Sequence, residues 1–166
     1  MLKIGVLGVG HLGRIHVKCI NLVPNLELVG FFDPNDANAA KITAAYIIQS
    51  VDSDDKLLDA VDAVDIVTPT ITHFELAKQA ISKGKHVFIE NPITEKPEQA
   101  KALLELVKEH QVKVQVGHVE RFNPAMLALK EENLNPMFIE VHRLATFNPR
   151  GTDVSVVLDL MIHDLD

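Results

Sequence analysis

The stretch that decides the fold lies at the start of the chain and reads Lys3-Ile4-Gly5-Val6-Leu7-Gly8-Val9-Gly10-His11-Leu12-Gly13. An apolar run ends in a Gly-x-Gly-x-x-Gly pattern, and a helical pattern follows at once. Gly8 permits a tight turn, Gly10 lets a pyrophosphate approach the backbone, and Gly13 lets the helix pack close to the strand. Free N–H groups at the helix N-terminus would hold the phosphates. The stretch therefore predicts a dinucleotide-binding turn, with His11 and Leu12 beside the cofactor.

An acidic residue supports this prediction. Asp33 ends the next apolar run, Leu28–Phe32, and lies 20 residues after Gly13. A carboxylate at this point accepts hydrogen bonds from an adenosine ribose, and it would repel a 2′-phosphate. The cofactor expected is therefore NAD, with NADP disfavoured. The alternative is a glycine-rich strand–helix turn that binds no ligand.

The composition is that of an ordinary globular protein. The chain has 166 residues, of which 47% are hydrophobic and 23% are charged. A net charge of −7 without a cluster of lysine or arginine argues against nucleic acid and anionic membranes as partners. Because the chain also lacks a signal-like start and a long apolar run, we expect a cytoplasmic protein.

The chain has one cysteine, Cys19, which excludes an internal disulfide. Cys19 shares an apolar stripe of the first helical segment with Leu12, Ile15 and Ile20. Free cysteine usually behaves as a small hydrophobic residue, so the pattern predicts a buried thiol.

Short apolar runs alternate with amphipathic segments up to about residue 117. The predicted strands are Lys3–Leu7, Leu26–Phe32, Val64–Thr68, His86–Glu90 and Val112–Val116. The predicted helices are His11–Val23, Asp36–Tyr46, Asp54–Ala60, Thr72–Lys83 and Pro97–His110. This alternation predicts an α/β fold, with a doubly wound, mostly parallel sheet over residues 1–117. Ligands of such sheets bind beyond the carboxyl ends of the strands.

A different pattern follows over residues 118–166. We predict a helix from Asn123-Pro124 through Glu132, an extended segment over Met137–Thr146 and an apolar helix over Val154–Asp166. One strand and two helices do not enclose a core by themselves. These residues are therefore expected to begin a second, α+β domain that is truncated here or completed by association.

Several segments together resemble the glucose–fructose oxidoreductase / inositol dehydrogenase / rhizopine catabolism (Gfo/Idh/MocA) family. They are the glycine-rich turn with Asp33, then Thr68–Ala77, Gly84–Pro92, Gly117–Pro124 and Asp159–Asp164. The resemblance covers nearly the whole chain. It implies a Rossmann domain followed by a substrate domain, and an NAD(P)-dependent dehydrogenase acting on a CH–OH group. For the full-length protein it implies a homo-oligomer.

The chain departs from the family pattern at one important position. Where Glu90–Pro92 stands, the family usually has Glu-Lys-Pro, and its lysine is treated as catalytic. Here the residue is Asn91, which can form hydrogen bonds but carries no charge. A second Glu-Lys-Pro, Glu95–Pro97, lies at a predicted helix start and is expected on the surface. Asn91 is kept as a candidate catalytic residue, although its neutrality places catalytic competence in question.

The last helix carries two further candidate catalytic residues. Asp159 and His163 are four residues apart, so they share one face of an α-helix. The resemblance implies that both face the substrate, with His163 as general base and Asp159 orienting the substrate or the base. An exposed acid and a structural histidine are the alternative. A metal site that adds His118 and Glu120 is disfavoured, because their spacing matches no common ligand set.

The resemblance also assigns binding residues. Those on the cofactor side are Thr68, Pro69, Thr70, His73 and Glu90, although the ordinary role of His73 would be to begin or cap its helix. Arg121 and Arg150 are candidates for binding a substrate phosphate or carboxylate, with a surface ion pair as the alternative.

Three hypotheses for function follow. The leading one is an NAD-dependent dehydrogenase of a sugar or nucleotide sugar. Two segments, Gly117–Pro124 and Phe147–Asp166, most resemble those of family members that oxidise the 3-hydroxyl of UDP-N-acetylglucosamine. The second, motivated by Asn91, is a non-catalytic NAD-binding sensor. The third is an inactive truncated domain.

Overall fold

A computed structural model describes residues 1–130, 132–144 and 154–166. Its centre is a six-stranded sheet of order β3-β2-β1-β4-β5-β6, in which all five neighbouring pairs are parallel. The strands are β1 Leu2–Leu7, β2 Leu26–Phe32, β3 Gln49–Ser50, β4 Ala63–Ile66, β5 His86–Glu90 and β6 Val114–Gly117. This is the strand order of a Rossmann sheet, so the predicted α/β class is confirmed. The sequence analysis missed β3, because two residues show no periodicity.

Five helices connect these strands. They are α1 His11–Ile20, α2 Asp36–Ala45, α3 Asp54–Ala60, α4 Thr70–Ser82 and α5 Pro97–His110. The limits of α3 and α5 agree with the prediction. Side-chain oxygens of Asn35 and Ser53 cap α2 and α3, which explains where these helices begin. The prediction for α1 was three residues too long, and α4 begins two residues earlier than predicted.

Two clusters of apolar side chains cover the two faces of the sheet. One includes Leu57, Val64, Ile66, Ile81 and Ile89, and the other includes Val6, Val17, Phe31, Ile42 and Ala63. Because side chains alternate along a strand, Asp65 lies on the same face as Ala63 and Val67. This face is the one covered by α1, so a carboxyl group is buried beneath that helix.

The prediction of a buried Cys19 was wrong. The buried residues of α1 are Gly13, Val17 and Ile20, whereas Cys19 is exposed and Leu12 is 50% exposed. Contact with the sheet begins at Gly13, so the residues four and seven positions later face inward. Of the predicted stripe, Ile20 faces inward, whereas Leu12, Ile15 and Cys19 lie beside that face.

Residues 118–166 contain short elements. A 3₁₀ turn over Val119–Phe122 leads to α6, Pro124–Leu129, which Asn123 caps and which ends before the predicted Glu132. The described residues 132–144 form no strand, so the extended segment predicted over Met137–Thr146 is corrected there; Thr146 lies outside the described residues. A strand is stable only when it pairs with another, and these residues have no paired strand within the described part.

The chain ends in a π-helical segment, Val157–Met161, followed by α7, Ile162–Leu165. The predicted helix therefore begins later than Val154 and is wound differently in its first part. Within the described ranges, no helix is long and apolar enough to cross a membrane. The division of the chain into domains at residue 117 stays a prediction.

Candidate cofactor and substrate site

The glycine-rich turn joins β1 to α1. Gly8 has a φ of +87°, which only glycine adopts easily, and a Cβ atom on Gly13 would lie 2.0 Å from the carbonyl oxygen of Gly8. A Cβ atom on Gly10 would have no heavy atom of the described residues within 4 Å. Gly8 and Gly13 are therefore required by the fold itself. Gly10 instead borders open space, where a ligand could approach the backbone.

The first turn of α1 lies next to that space. Gly10 is the residue before the helix, and neither a capping side chain nor an acidic residue is found in this described turn. The first N–H groups of a helix have no partner within it, so they can bind an anion here. His11 and Leu12 lie exposed in the same turn.

Asp33 is held against this turn. Its Oδ2 accepts a hydrogen bond of 2.8 Å from the N–H of Val9, and its Oδ1 accepts one of 2.8 Å from the N–H of Asn35. The side-chain amide of Asn38 lies 3.4 Å from Oδ2. All three donors are uncharged. The carboxylate is therefore fixed by neutral donors between the glycine-rich turn and the start of α2.

The turns after β4 and β5 form the other half of this edge. Thr70 is buried and Pro69 is exposed, while the Thr72 hydroxyl lies 2.7 Å from both Thr68 Oγ1 and the Pro69 carbonyl oxygen. His73 is 1% exposed, with Nδ1 2.9 Å from the carbonyl oxygen of Pro92 and Nε2 2.9 Å from that of Thr68. Both ring nitrogens are engaged inside the protein, so His73 ties the two turns together. Direct contact between His73 and a cofactor stays a prediction.

Asn91 links the ends of β5 and β6. Its Nδ2 donates a hydrogen bond of 2.6 Å to the carbonyl oxygen of Gly117, and a cis peptide bond joins it to Pro92. By contrast, Glu95, Lys96 and Pro97 are exposed at the start of α5, as predicted. Asn91 thus lies at the carboxyl edge of the sheet, and one of its two amide hydrogens is already used.

A cluster of charged groups under α1 escaped the sequence analysis. Nδ1 of His16 lies 2.8 Å from Oδ2 of Asp65, and Nε2 lies 3.2 Å from Oε1 of Glu90. Burial by itself lowers the pKa of His16, but the two carboxylates outweigh it and raise the pKa to about 10. Burial raises the pKa of Asp65, while its hydrogen bond to His16 acts in the opposite direction. Only the i+3 spacing of His16 from Gly13 could have indicated that this histidine faces the sheet.

Arg121 contacts the last residue of the chain. Its Nε donates a hydrogen bond of 2.6 Å to Oδ2 of Asp166, and its Nη2 contacts Oδ1. The hydrogen bond from Arg121 holds the pKa of Asp166 below its usual range. The structure thus places the guanidinium in an ion pair, which was the alternative interpretation of this residue. Arg150 lies outside the described residues.

The terminal segment also adjoins β6. Nδ1 of His118, the residue after Gly117, lies 3.3 Å from Oδ2 of Asp166. Asp159 lies in the π-helical segment and His163 in α7, and both are partly buried. Their assignment to one face assumed α-helical winding, which holds only from Ile162 onward. In the described ranges, no group of three or more His, Cys, Asp or Glu side chains is arranged to hold a metal ion.

Comparison with known proteins gives a consistent picture. A family model for Gfo/Idh/MocA proteins, described as an oxidoreductase family with an NAD-binding Rossmann fold, matches residues 2–118. UDP-N-acetylglucosamine 3-dehydrogenase from Acidithiobacillus ferrooxidans is 43% identical over 166 residues, which cover 99% of this chain and 52% of that protein. Inositol 2-dehydrogenase from Rhizobium meliloti is 30% identical, over 99% of this chain and 53% of its own length.

Solved structures agree with these sequence matches. A structure of UDP-N-acetylglucosamine 3-dehydrogenase from Acidithiobacillus ferrooxidans superposes with a TM-score of 0.89 at 42% identity, covering 99% of this chain and 52% of the other. A scyllo-inositol dehydrogenase from Lactobacillus casei gives a TM-score of 0.73 at 28% identity, covering 79% and 40%. The chain spans about half the length of the curated relatives it matches.

Proposed function

The chain belongs to the Gfo/Idh/MocA oxidoreductase family, and from this premise we propose that it provides the cofactor-binding part of an NAD-dependent dehydrogenase. The observation that carries the proposal is the glycine-rich turn, where Gly10 borders open space and Asp33 is fixed against the N–H of Val9. These residues fit a dinucleotide. The pyrophosphate would lie on the first turn of α1, and the adenosine ribose would bind Asp33.

The preferred cofactor in this proposal is NAD. A 2′-phosphate on the ribose would meet the carboxylate of Asp33, and the groups that bond to this carboxylate are neutral. Repulsion between the two anions would disfavour NADP.

The proposed substrate of the whole protein is a sugar or nucleotide sugar with a secondary hydroxyl. Support comes from the relative that is 43% identical and is named a UDP-N-acetylglucosamine 3-dehydrogenase. We take the 3-hydroxyl of that nucleotide sugar as the first substrate to test. Arg121 and Arg150 stay the candidates for its phosphate groups, and binding by Arg121 would require Asp166 to release it.

The proposed mechanism divides the chemistry between cofactor and protein. The glycine-rich turn and Asp33 would hold NAD⁺, which would supply the acceptor for a hydride from the carbon that carries the reacting hydroxyl. His163 takes the proton of that hydroxyl, and Asp159 orients the substrate or the histidine. Asn91 keeps one amide hydrogen and its carbonyl oxygen for a substrate or ribose hydroxyl. In this arrangement the nicotinamide would lie beside Thr68, Pro69, Thr70 and Glu90.

The second candidate function is NAD sensing without catalysis. It rests on Asn91, because a neutral residue stands where the family usually has its catalytic lysine, and its amide is bound to Gly117.

The proposal for the dehydrogenase also includes a cytoplasmic location and a homo-oligomeric full-length protein.

The test is a titration with NADH and NADPH, followed by cofactor fluorescence. The chain has no tryptophan and one tyrosine, so the protein background is low. We expect binding of NADH and much weaker binding of NADPH. The full-length protein is then expected to form NADH from NAD⁺ and UDP-N-acetylglucosamine. Absence of binding to either cofactor would refute the proposal, and binding without turnover on any sugar would favour the sensor.

A further inference from the structure

One imidazole ring connects three elements of the domain. His16 lies on α1, three residues after Gly13, and its side chain is 18% exposed. Nδ1 faces Asp65 on β4 at 2.8 Å, and Nε2 faces Glu90 on β5 at 3.2 Å. The ring also packs edge-on to Phe88 with 6.0 Å between centroids. The ring therefore links α1, which begins at the glycine-rich turn, to the neighbouring strands β4 and β5.

The partners of His16 determine its charge. An ionised carboxylate accepts hydrogen bonds and cannot donate them, so a ring that carries both protons donates a hydrogen bond from Nδ1 to Asp65 and forms an ion pair with Glu90 through Nε2. Asp65 on β4 and Glu90 on β5 are the charged groups that face the ring. Burial opposes the charge, but these two carboxylates outweigh it and raise the pKa of His16 to about 10. His16 is therefore an imidazolium cation at neutral pH.

This cation separates two acids. Asp65 is 3% exposed, and the charge of Glu90 helps to raise its pKa after the larger effect of burial. Oδ1 of Asp65 has no hydrogen-bond partner within the described residues. Without the imidazolium, Asp65 and Glu90 would repel each other across the space beneath α1. Glu90, at the carboxyl end of its strand, is the acid that could turn away.

The carboxylate of Glu90 is also held from two other sides. Its Oε2 lies 3.3 Å from the N–H of Asn91. A Cβ atom on Gly117, which pairs with Glu90 in the sheet, would lie 2.6 Å from Oε1. The absence of a side chain at Gly117 therefore leaves the space that the carboxylate occupies. Its position is defined by Gly117, Asn91 and His16 together.

We propose that His16 is a positioning residue that holds the carboxylate of Glu90 at the nicotinamide side of the cofactor site. This role rests on the proposed function, because Glu90 borders a nicotinamide only if the cofactor binds at this edge. It predicts that loss of the cation disturbs the nicotinamide half of the site and leaves the adenosine half unchanged. A residue needed only for folding would affect both halves alike.

The test compares His16→Gln with His16→Lys. Glutamine can donate to one carboxylate but carries no charge, whereas lysine restores a cation. Lys18→Gln is the matched control, because it removes a positive charge from an exposed position on the same helix. Each variant is titrated with NADH and with ADP, which contains only the adenosine diphosphate part of the cofactor.

We expect His16→Gln to weaken NADH binding about tenfold, which corresponds to about 1.4 kcal/mol, and to leave ADP binding unchanged. His16→Lys should recover much of the loss, and Lys18→Gln should resemble the parent. Equal losses for NADH and ADP, or no loss for NADH, would overturn the proposal. Glu90→Gln tests the same contact from the other side and should show the same selective loss, so the test does not depend on one variant.

A second measurement does not require the cofactor. Imidazole ¹⁵N NMR of the chain, assigned by the signal missing in His16→Gln, should show His16 still protonated at about pH 8, where an ordinary histidine is mostly neutral. A neutral His16 at that pH would overturn the proposal by itself. If the unsubstituted chain bound no NADH, the proposed function would be refuted, and the proposed role of His16 would be refuted with it, even if His16 were protonated. A parent that binds NADH, with a His16→Gln variant that binds it equally well, would refute the role of His16 alone.

Discussion

Two glycines of the same turn should respond to alanine in opposite ways. A Cβ atom on Gly13 would lie 2.0 Å from the carbonyl oxygen of Gly8 and 2.9 Å from its carbonyl carbon. A Cβ atom on Gly10 would meet no heavy atom of the described residues within 4 Å, and the φ of Gly10, −65°, lies outside the left-handed region that favours glycine. Gly13→Ala thus tests the packing of α1, and Gly10→Ala tests the space in front of it.

The distances determine the expected magnitudes. An ordinary contact of a Cβ atom is at least 3.4 Å. Gly13→Ala must therefore move backbone by more than an ångström, and we expect a loss of about 3 kcal/mol or more in the free energy of unfolding. Gly10→Ala should change that free energy by less than about 0.5 kcal/mol. Its methyl group would instead collide with the pyrophosphate, and an overpacking cost of about 1–3 kcal/mol corresponds to NADH binding roughly 5- to 150-fold weaker.

The assay combines urea unfolding, followed by circular dichroism, with NADH titration by cofactor fluorescence. Gly10→Ala should keep the unfolding midpoint of the parent and lose affinity for NADH. If Gly10→Ala bound NADH as tightly as the parent while remaining folded, the pyrophosphate would not lie at this turn. The glycines would then serve the strand–helix packing alone.

The remaining predictions concern single residues. Asp33→Asn should weaken NADH binding and reduce the ratio of NADH affinity to NADPH affinity. The control Asp36→Asn removes a charge from the first turn of α2 and should leave that ratio unchanged. Equal effects of the two variants would contradict the contact between Asp33 and the ribose. Asn91→Lys in the full-length protein should raise turnover strongly if the site is degenerate, and it should give no gain if asparagine already supports catalysis. His73→Ala should lower the free energy of unfolding by about 3 kcal/mol, because it leaves a cavity and removes the ring N–H that donates to the carbonyl oxygen of Pro92 or of Thr68, and a change below about 0.5 kcal/mol by urea unfolding would contradict this. Because the pKa of His16 is raised from 6.5 to about 10, its stabilising contribution is complete below pH 6.5 and is lost as the pH rises through 10. Over this interval the free energy of unfolding of His16→Gln should therefore decrease less with pH than that of the unsubstituted chain.

The parts of the fold that were predicted correctly depend on local patterns. Strands buried on both faces appear as short apolar runs, which identified β2 and β5 to the residue. The limits of α3 and α5 follow from a serine cap and from a proline in the first turn. The extended segment near Met137 was predicted from alternation alone. Alternation does not supply a neighbouring strand, and none pairs with these residues in the described part of the chain.

The sequence by itself determined the α/β class, the glycine-rich turn between β1 and α1, and the family, because each depends on residues close together in the chain or on short motifs in a fixed order. Only the tertiary structure decided which side of α1 faces the sheet, and therefore that Cys19 is exposed and His16 is not. It also brought His16 to Asp65, 49 positions away in the chain, and placed Glu90 opposite Gly117. The register between parallel strands and the angle at which a helix packs on them set these contacts, and neither quantity is encoded in the periodicity of a single segment.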